Sequence, residues 1–178
     1  MNPLQIISKY YAPSSMAYEL LVKHSKSVAD KALQIGRTHS ELKLDMQFVE
    51  EAAMLHDIGA FLCDAPSIDC HGTAPYICHG YLGADLLRRE GYPRHALVCE
   101  RHTGTGLTVE MIQQQHLPLP LRDMCPQSME EQVICFADIF FSKTNLEEEK
   151  SIPQVLRSMA KYGEASILQF EKWCELFI

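Results

Sequence analysis

The chain has 178 residues, 47% hydrophobic and 22% charged, the proportions of one soluble globular domain with a sizeable core. A net charge of −7 and a pI near 5.6 exclude bulk electrostatic attraction to nucleic acid or anionic membrane, so an anionic substrate needs local positive charge. No apolar run is long enough to span a bilayer, and the opening MNPLQIISKYY lacks a signal-peptide core, so a cytoplasmic protein is expected.

In chain order the periodicity is helical almost throughout. Ser14 or Ser15 can cap a helix running to about Gly36, with Ala17, Leu20, Leu21, His24, Val28, Ala32 and Ile35 on one face. Asp45 can cap a second helix, ending near Gly59, whose Val49, Ala52, Ala53 and His56 share a stripe. A long loop from about Ala60 to Cys78 follows, containing Pro66, Gly72 and Pro75; loops of that length often carry function.

His79 then opens a helix ending at Gly91, and Pro93 suits the first turn of another that reaches His102. Gly104 and Gly106 break the chain, Thr108 can cap a short helix, and the stretch from Pro118 to Pro126 is irregular. Ser128-Met129-Glu130-Glu131 matches a capping box at the start of the helix carrying Asp138. Two last helices are predicted over 151–162 and 164–177, the second apolar around Trp173, Leu176 and Phe177 and able to pack on the core or on a partner. The expectation is an all-α protein, a compact single-domain helical bundle over 1–178. Its core falls at about 18–145 and its C-terminal helices at about 151–177. The oligomeric state is left open.

The seven cysteines form no Cys-x-x-Cys pair and most have apolar neighbours, as reduced thiols of a cytosolic protein do. Cys70-His71 and Cys78-His79 match no closed structural zinc spacing. The histidines and aspartates are more informative. His24, His56 and Asp138 each fall on the apolar stripe of a helix. A lone histidine there is ordinarily a satisfied core residue, but several such groups on different helices need a common partner, because buried charge must be paired or bound to metal. Asp57, adjacent to His56, adds a carboxylate at the same point. His79 and His102 lie at helix ends beside glycine-containing turns and can also point inward. Nitrogen and oxygen donors of this kind suit a borderline or hard divalent ion: Fe, Mn, Ni, Zn or Mg.

The order His…His-Asp…Asp, with Ile58-Gly59 after the His-Asp pair, resembles the HD-domain superfamily of metal-dependent phosphohydrolases. The likeness spans about residues 18–145. The segment HGYLGADLLRREGYPRHALVCERHTGTGLT at 79–108 is similar to small stand-alone HDIG-type proteins of the binuclear branch. By that resemblance His24, His56, Asp57 and Asp138 would hold a first metal, and His79, His102 and a bridging Asp57 a second. Hydroxide activated by the metals would then attack phosphorus in a phosphoester or phosphoanhydride of a small molecule, a nucleotide foremost.

The chain departs from the HD-GYP relatives that cleave cyclic dinucleotides. Ala60 stands where they carry Lys after HDIG, and Glu100-Arg101-His102 and Gly106-Leu107-Thr108 replace their His-His-Glu and Gly-Tyr-Pro. The phosphate-side cation must therefore come from elsewhere. Arg101, beside His102, ranks first as a catalytic candidate with Asp57; Lys23 and Lys143 rank below it. His71, with Asp64 and Asp69, is a candidate to face substrate. His39, His95 and His116 read as surface residues, Tyr76 and Tyr81 as packing, and 147–150 as a solvated turn. Two other functions compete: a di-iron oxygenase on the same ligands, acting on an organophosphonate or polyol, and a non-catalytic module retaining metal for stability.

Overall fold

The computed structural model describes residues 1–146 and 148–178, with Lys161 described by its backbone alone. Glu147 of the acidic run lies outside the described residues, whereas Glu149 of that run pairs with Lys31 at 2.6 Å. The architecture is all-α. The helices are α1 (Pro3–Ile7), α2 (Met16–Thr38), α3 (Met46–Leu55), α4 (His79–Arg89), α5 (Pro93–Arg101), α6 (Val109–Gln114), α7 (Met129–Ile139), α8 (Ile152–Met159) and α9 (Glu164–Phe177).

The helix starts follow capping chemistry. Ser15 accepts from the Tyr18 amide, Asp45 from Phe48, Thr108 from Met111 and Ser128 from Glu131, each satisfying an otherwise orphaned donor. At Ser128 the capping box is only half made. The Glu131 carboxylate accepts instead from the Gln127 amide and from Arg101. The full reciprocal box occurs at α8, between Ser151 and Gln154. Helix α1 has no counterpart in the sequence reading, since five residues are too few to show a period; Ile6 and Ile7 nonetheless bury fully.

The stretch expected as a loop after Gly59 is ordered. A 3₁₀ turn over Ile58–Leu62 leads into a short antiparallel hairpin, β1 (Asp64–Ala65) and β2 (Cys70–His71), with Asp64 opposite His71. Asp69 sits at its tip in the left-handed region at φ 58°, and its carboxylate accepts from the Ala17 amide at 3.2 Å, tying the hairpin to the start of α2.

Two large apolar clusters hold most of the helices together, and a smaller third, around Cys63, Leu107, Ile112 and Met124, seats α6. In one, α2, α3 and α7 meet α8 and α9, with the Phe136 ring against Phe140, Phe170, Trp173 and Phe177 at centroid distances of 5.0–6.4 Å. The C-terminal helix therefore packs on the core through Trp173 and Phe177, leaving Leu176 exposed. In the other, α1, the 58–62 turn, α4 and α5 close around Leu55, Ile58, Leu86 and Leu87. The polar residues of interest lie where these clusters meet. Among the described residues no helix is long and apolar enough to cross a membrane.

Candidate metal centre

Six side chains converge from five helix segments. His24 projects from the middle of α2, His56 caps the end of α3 with Asp57 next to it, and His79 is the first residue of α4. His102 caps the end of α5, and Asp138 lies one residue before the end of α7. All are buried except Asp138, whose side chain is 16% exposed.

Three of the rings are oriented by their own backbone. The Nδ1 atoms of His56, His79 and His102 lie 2.6, 2.7 and 2.8 Å from the carbonyls of Ala53, Tyr76 and Cys99, each three residues back. A carbonyl only accepts, so Nδ1 carries the proton and Nε2 presents its lone pair, the arrangement seen in metal-ligating histidines.

Those Nε2 atoms face Asp57. Its Oδ2 lies 3.2 Å from His24 Nε2 and 3.0 Å from His56 Nε2, and its Oδ1 lies 3.2 and 3.4 Å from His79 and His102. Asp138 Oδ1 completes the first set, 3.0 Å from His24 and 3.4 Å from His56. His79 Nε2 and His102 Nε2 are 3.0 Å apart. Two sets result, His24–His56–Asp57–Asp138 and Asp57–His79–His102, with donor atoms in each within 4.8 Å of one another.

The arrangement is unfavourable for the bare groups. The Nε2 atoms of His24 and His56 and Asp57 Oδ1 are fully buried without a hydrogen-bond partner, and Asp57 Oδ2 meets only the ammonium of Lys143 at 2.6 Å besides the imidazoles. The His56 Nε2 lone pair points at carboxylate oxygens, so some cation must stand between them. If protons alone do so, burial, which lowers the His56 pKa, is overcome by Asp57 and Asp138, raising it to about 10. His102 shifts the other way, because burial, His56 and His79 all disfavour its charged form. Burial would raise Asp57 and Asp138, but His56, Lys143 and the surrounding imidazoles hold both well below the usual carboxylate range. Neutral imidazoles and ionised carboxylates are the forms that coordinate metal, and this donor set fits a divalent ion. Residues 21–141, which contain all six groups, match the HD domain family.

The chain belongs to the HD-domain family.

Among curated proteins, this HD-domain chain is 30% identical to a tRNA (cytidine(56)-2'-O)-methyltransferase of Thermoplasma volcanium over 90% of its own length and 40% of that protein's. It is 29% identical to an uncharacterised protein of Methanocaldococcus jannaschii over 83% and 82% of the two chains. A methyltransferase of the same name from Picrophilus torridus matches at 29%, over 86% of this chain and 39% of that one. The chain thus spans about two fifths of the length of the methyltransferases it matches. No solved structure matches it significantly.

The glycine of the HD motif has a spatial reason. A Cβ on Gly59 would lie 2.2 Å from the His79 carbonyl oxygen and 2.5 Å from the Gly83 amide, so its absence lets the turn after Asp57 rest directly on α4. Behind this turn the buried Tyr11 hydroxyl donates to the Ile58 carbonyl at 3.0 Å and accepts from the Phe61 amide at 2.9 Å. Nothing in the sequence marked Tyr11, which lies 46 residues before Asp57 and carries no motif.

The centre opens on a cavity of about 750 Å³. Its walls include His79, His102 and Asp138, the Tyr76 and Phe141 rings, and hydroxyls of Thr103 and Ser142. Tyr76, expected to serve packing, stacks on the His79 ring at 4.6 Å while also facing the cavity. Of the residues singled out in the 60–78 segment, Asp64 lines the cavity, whereas His71 is exposed and pairs with Asp69 at 3.2 Å.

Arg101 is directed elsewhere. Its Nη1 donates to Glu131 Oε2 at 2.9 Å, and it takes no part in the cavity wall. Lys143, ranked lower from sequence, is the basic residue at the centre, with Nζ 2.6 Å from Asp57 Oδ2. Burial opposes its charge, but Asp57, Tyr76 and Asp138 raise its pKa above the ordinary lysine value. Lys23 is absent from the cavity wall. His95, expected at the surface, is largely covered between Phe48 and Tyr92 and lies 3.4 Å from Glu51. All seven cysteines are free thiols, and among the described residues no candidate metal group includes one.

Proposed function

We propose that this HD-domain protein is a cytoplasmic metal-dependent phosphohydrolase, using two divalent ions to cleave a phosphoester or phosphoanhydride of a small molecule, a nucleotide foremost. The observation that carries the reading is Asp57, whose two oxygens face two separate sets of imidazoles. Bound ions would supply Lewis-acid polarisation of a phosphoryl oxygen and bring the pKa of a water from 15.7 to about 7.

The chain's own residues do the rest. His24, His56 and Asp138 hold one side of Asp57, and His79 and His102 hold the other. The three backbone-locked imidazoles keep their lone pairs aimed inward without reorganisation as substrate arrives. The cavity volume falls within the range of about 300–1,000 Å³ usual for small-molecule sites. Tyr76 and Phe141 offer faces on which a base can stack, and the Thr103 and Ser142 hydroxyls can bond a sugar or phosphate. A chain of net charge −7 favours a small anion over long nucleic acid. The methyl transfer in the relatives' names describes proteins more than twice as long as the shared segment, and the reading here rests on the His/Asp centre instead.

The test is elemental analysis of the purified protein with phosphate release from a panel of nucleotides and phosphoesters. About two metals per chain with turnover supports the proposal. Two irons without phosphate release would replace it with the oxygenase reading, to be followed by oxygen uptake on organophosphonates and polyols.

A further inference from the structure

Proximity in sequence and proximity in space disagree about which basic residue serves the centre. Arg101 adjoins His102 in the chain, but its guanidinium is held by Glu131, a buried carboxylate that also accepts the Gln127 amide. Arg88 and Arg122 are likewise committed, both to buried Glu100, at 2.7 and 2.9 Å. Lys143 alone, among the lysines and arginines of the described residues, lines the cavity.

Its position suits a substrate. The ammonium lies on Asp57 Oδ2, the same oxygen that the His24 and His56 nitrogens face at 3.2 and 3.0 Å. It therefore occupies the border between the ligand set and the open cavity. It comes from the turn just beyond α7, where Ser142 Oγ lies 3.0 Å from Thr144 Oγ1 and accepts from the Thr144 amide, fixing the backbone on either side of Lys143. The four-carbon stem remains able to redirect the charge over a few ångströms. A divalent ion is a stronger partner than an ammonium for a carboxylate oxygen, so metal loading weakens the hold of Asp57 on Lys143 and leaves the charge next to the cavity. A phosphoryl group in that cavity carries several anionic oxygens, more than two metal ions need to contact.

We propose that Lys143 is the substrate-side cation of this centre: its ammonium rests on Asp57 in the metal-free protein and bonds a phosphoryl oxygen when metal and substrate are bound. The inference rests on the phosphohydrolase reading and adds a specific binding residue to it.

The test uses full-length protein loaded with Mn²⁺ and inorganic phosphate as probe, with binding followed by calorimetry and metal content by elemental analysis. Lys143→Met should retain its metal and bind phosphate about 10- to 100-fold more weakly, the range expected for loss of one charge-assisted hydrogen bond. Lys143→Arg should recover most of the affinity, because the charge is restored. Circular dichroism checks the fold, and Lys143→Gln provides a second neutral variant should Met fail. Phosphate affinity equal to wild type in a metal-replete neutral variant overturns the proposal, leaving Lys143 a structural partner of Asp57. Loss of metal in both neutral variants also overturns it, by assigning the residue to the ligand set. Failure of metal-loaded wild type to bind phosphate at all would instead remove the phosphohydrolase reading on which the inference stands.

Discussion

Substituting Gly59 by alanine adds one methyl group where the structure leaves none of the space it needs. The new Cβ would lie 2.2 Å from the His79 carbonyl oxygen, 2.5 Å from the Gly83 nitrogen and 2.7 Å from Gly83 Cα. Ordinary contact begins at 3.4 Å, so the turn and α4 must part by about 1.2 Å along the tightest direction, and all three obstacles are backbone. Overpacking of this kind costs about 1–3 kcal/mol, which for a chain this size lowers Tm by roughly 2–12 °C. The sharper consequence concerns geometry. His79 opens α4, whereas Asp57 precedes the turn, so separating the two moves His79 relative to Asp57 by far more than the ±0.2 Å or so that a metal site tolerates. Gly59→Ala should therefore lose the metal shared by Asp57, His79 and His102 while largely keeping the one held by His24, His56 and Asp138. Titration with Mn²⁺ followed by elemental analysis, beside a thermal melt, reads both effects. Gly91→Ala is the control: at φ +87° with nothing within 4 Å it strains only its own backbone, so it should cost about 1 kcal/mol without touching metal content. A Gly59→Ala protein with two metals and an unchanged melt would refute the close-approach argument.

Other substitutions separate the remaining roles. Asp57→Asn keeps the shape but removes the charge common to both groups, so bound metal should fall by more than one ion per chain; loss of a single ion, measured by elemental analysis, would refute the sharing. Arg101→Ala should destabilise by about 1–3 kcal/mol, because it leaves the buried Glu131 carboxylate short of its partner, with phosphate affinity unaltered. A normal melt with weakened phosphate binding would reverse that assignment. Tyr11→Phe orphans the Ile58 carbonyl and the Phe61 amide together and should lower Tm by roughly 2–12 °C with metal retained; an unchanged Tm would show that the hydroxyl does not secure the turn.

What could be read from sequence divides along physical lines. Caps at Ser15, Asp45, Thr108 and Ser128 were legible because an N-cap is a local contract between a side chain and an amide a few residues on. Among the six ligand candidates, His24, His56 and Asp138 stand out because polar groups on apolar stripes demand a shared partner, Asp57 follows by adjacency, and His79 and His102, at helix ends, join the set through the family resemblance; the fold brings all six together. Arg101 shows the limit of adjacency. Neighbours on a helix point about 100° apart, so a residue next to a ligand ordinarily faces away from the site. Lys143 lies beyond the end of α7, where the path of the turn depends on tertiary packing that no period records. His95 and Tyr11 are covered by residues distant in sequence, Glu51 and Ile58 among them, and composition gives no sign of such meetings.

The hydrogen bonds from His56, His79 and His102 to carbonyls three residues back have a consequence for how such a protein can change. Each ring has its Nδ1 fixed within a stretch of four consecutive residues, whatever its Nε2 meets across the centre. Aim is thereby stored in the main chain, and the walls of the cavity are not needed to preserve it. Replacing Phe141, Thr103 or Ser142 alters what fits the cavity while the three imidazoles keep their bearing. A scaffold of this design can change what its cavity admits without having to rebuild its cluster of histidines and aspartates.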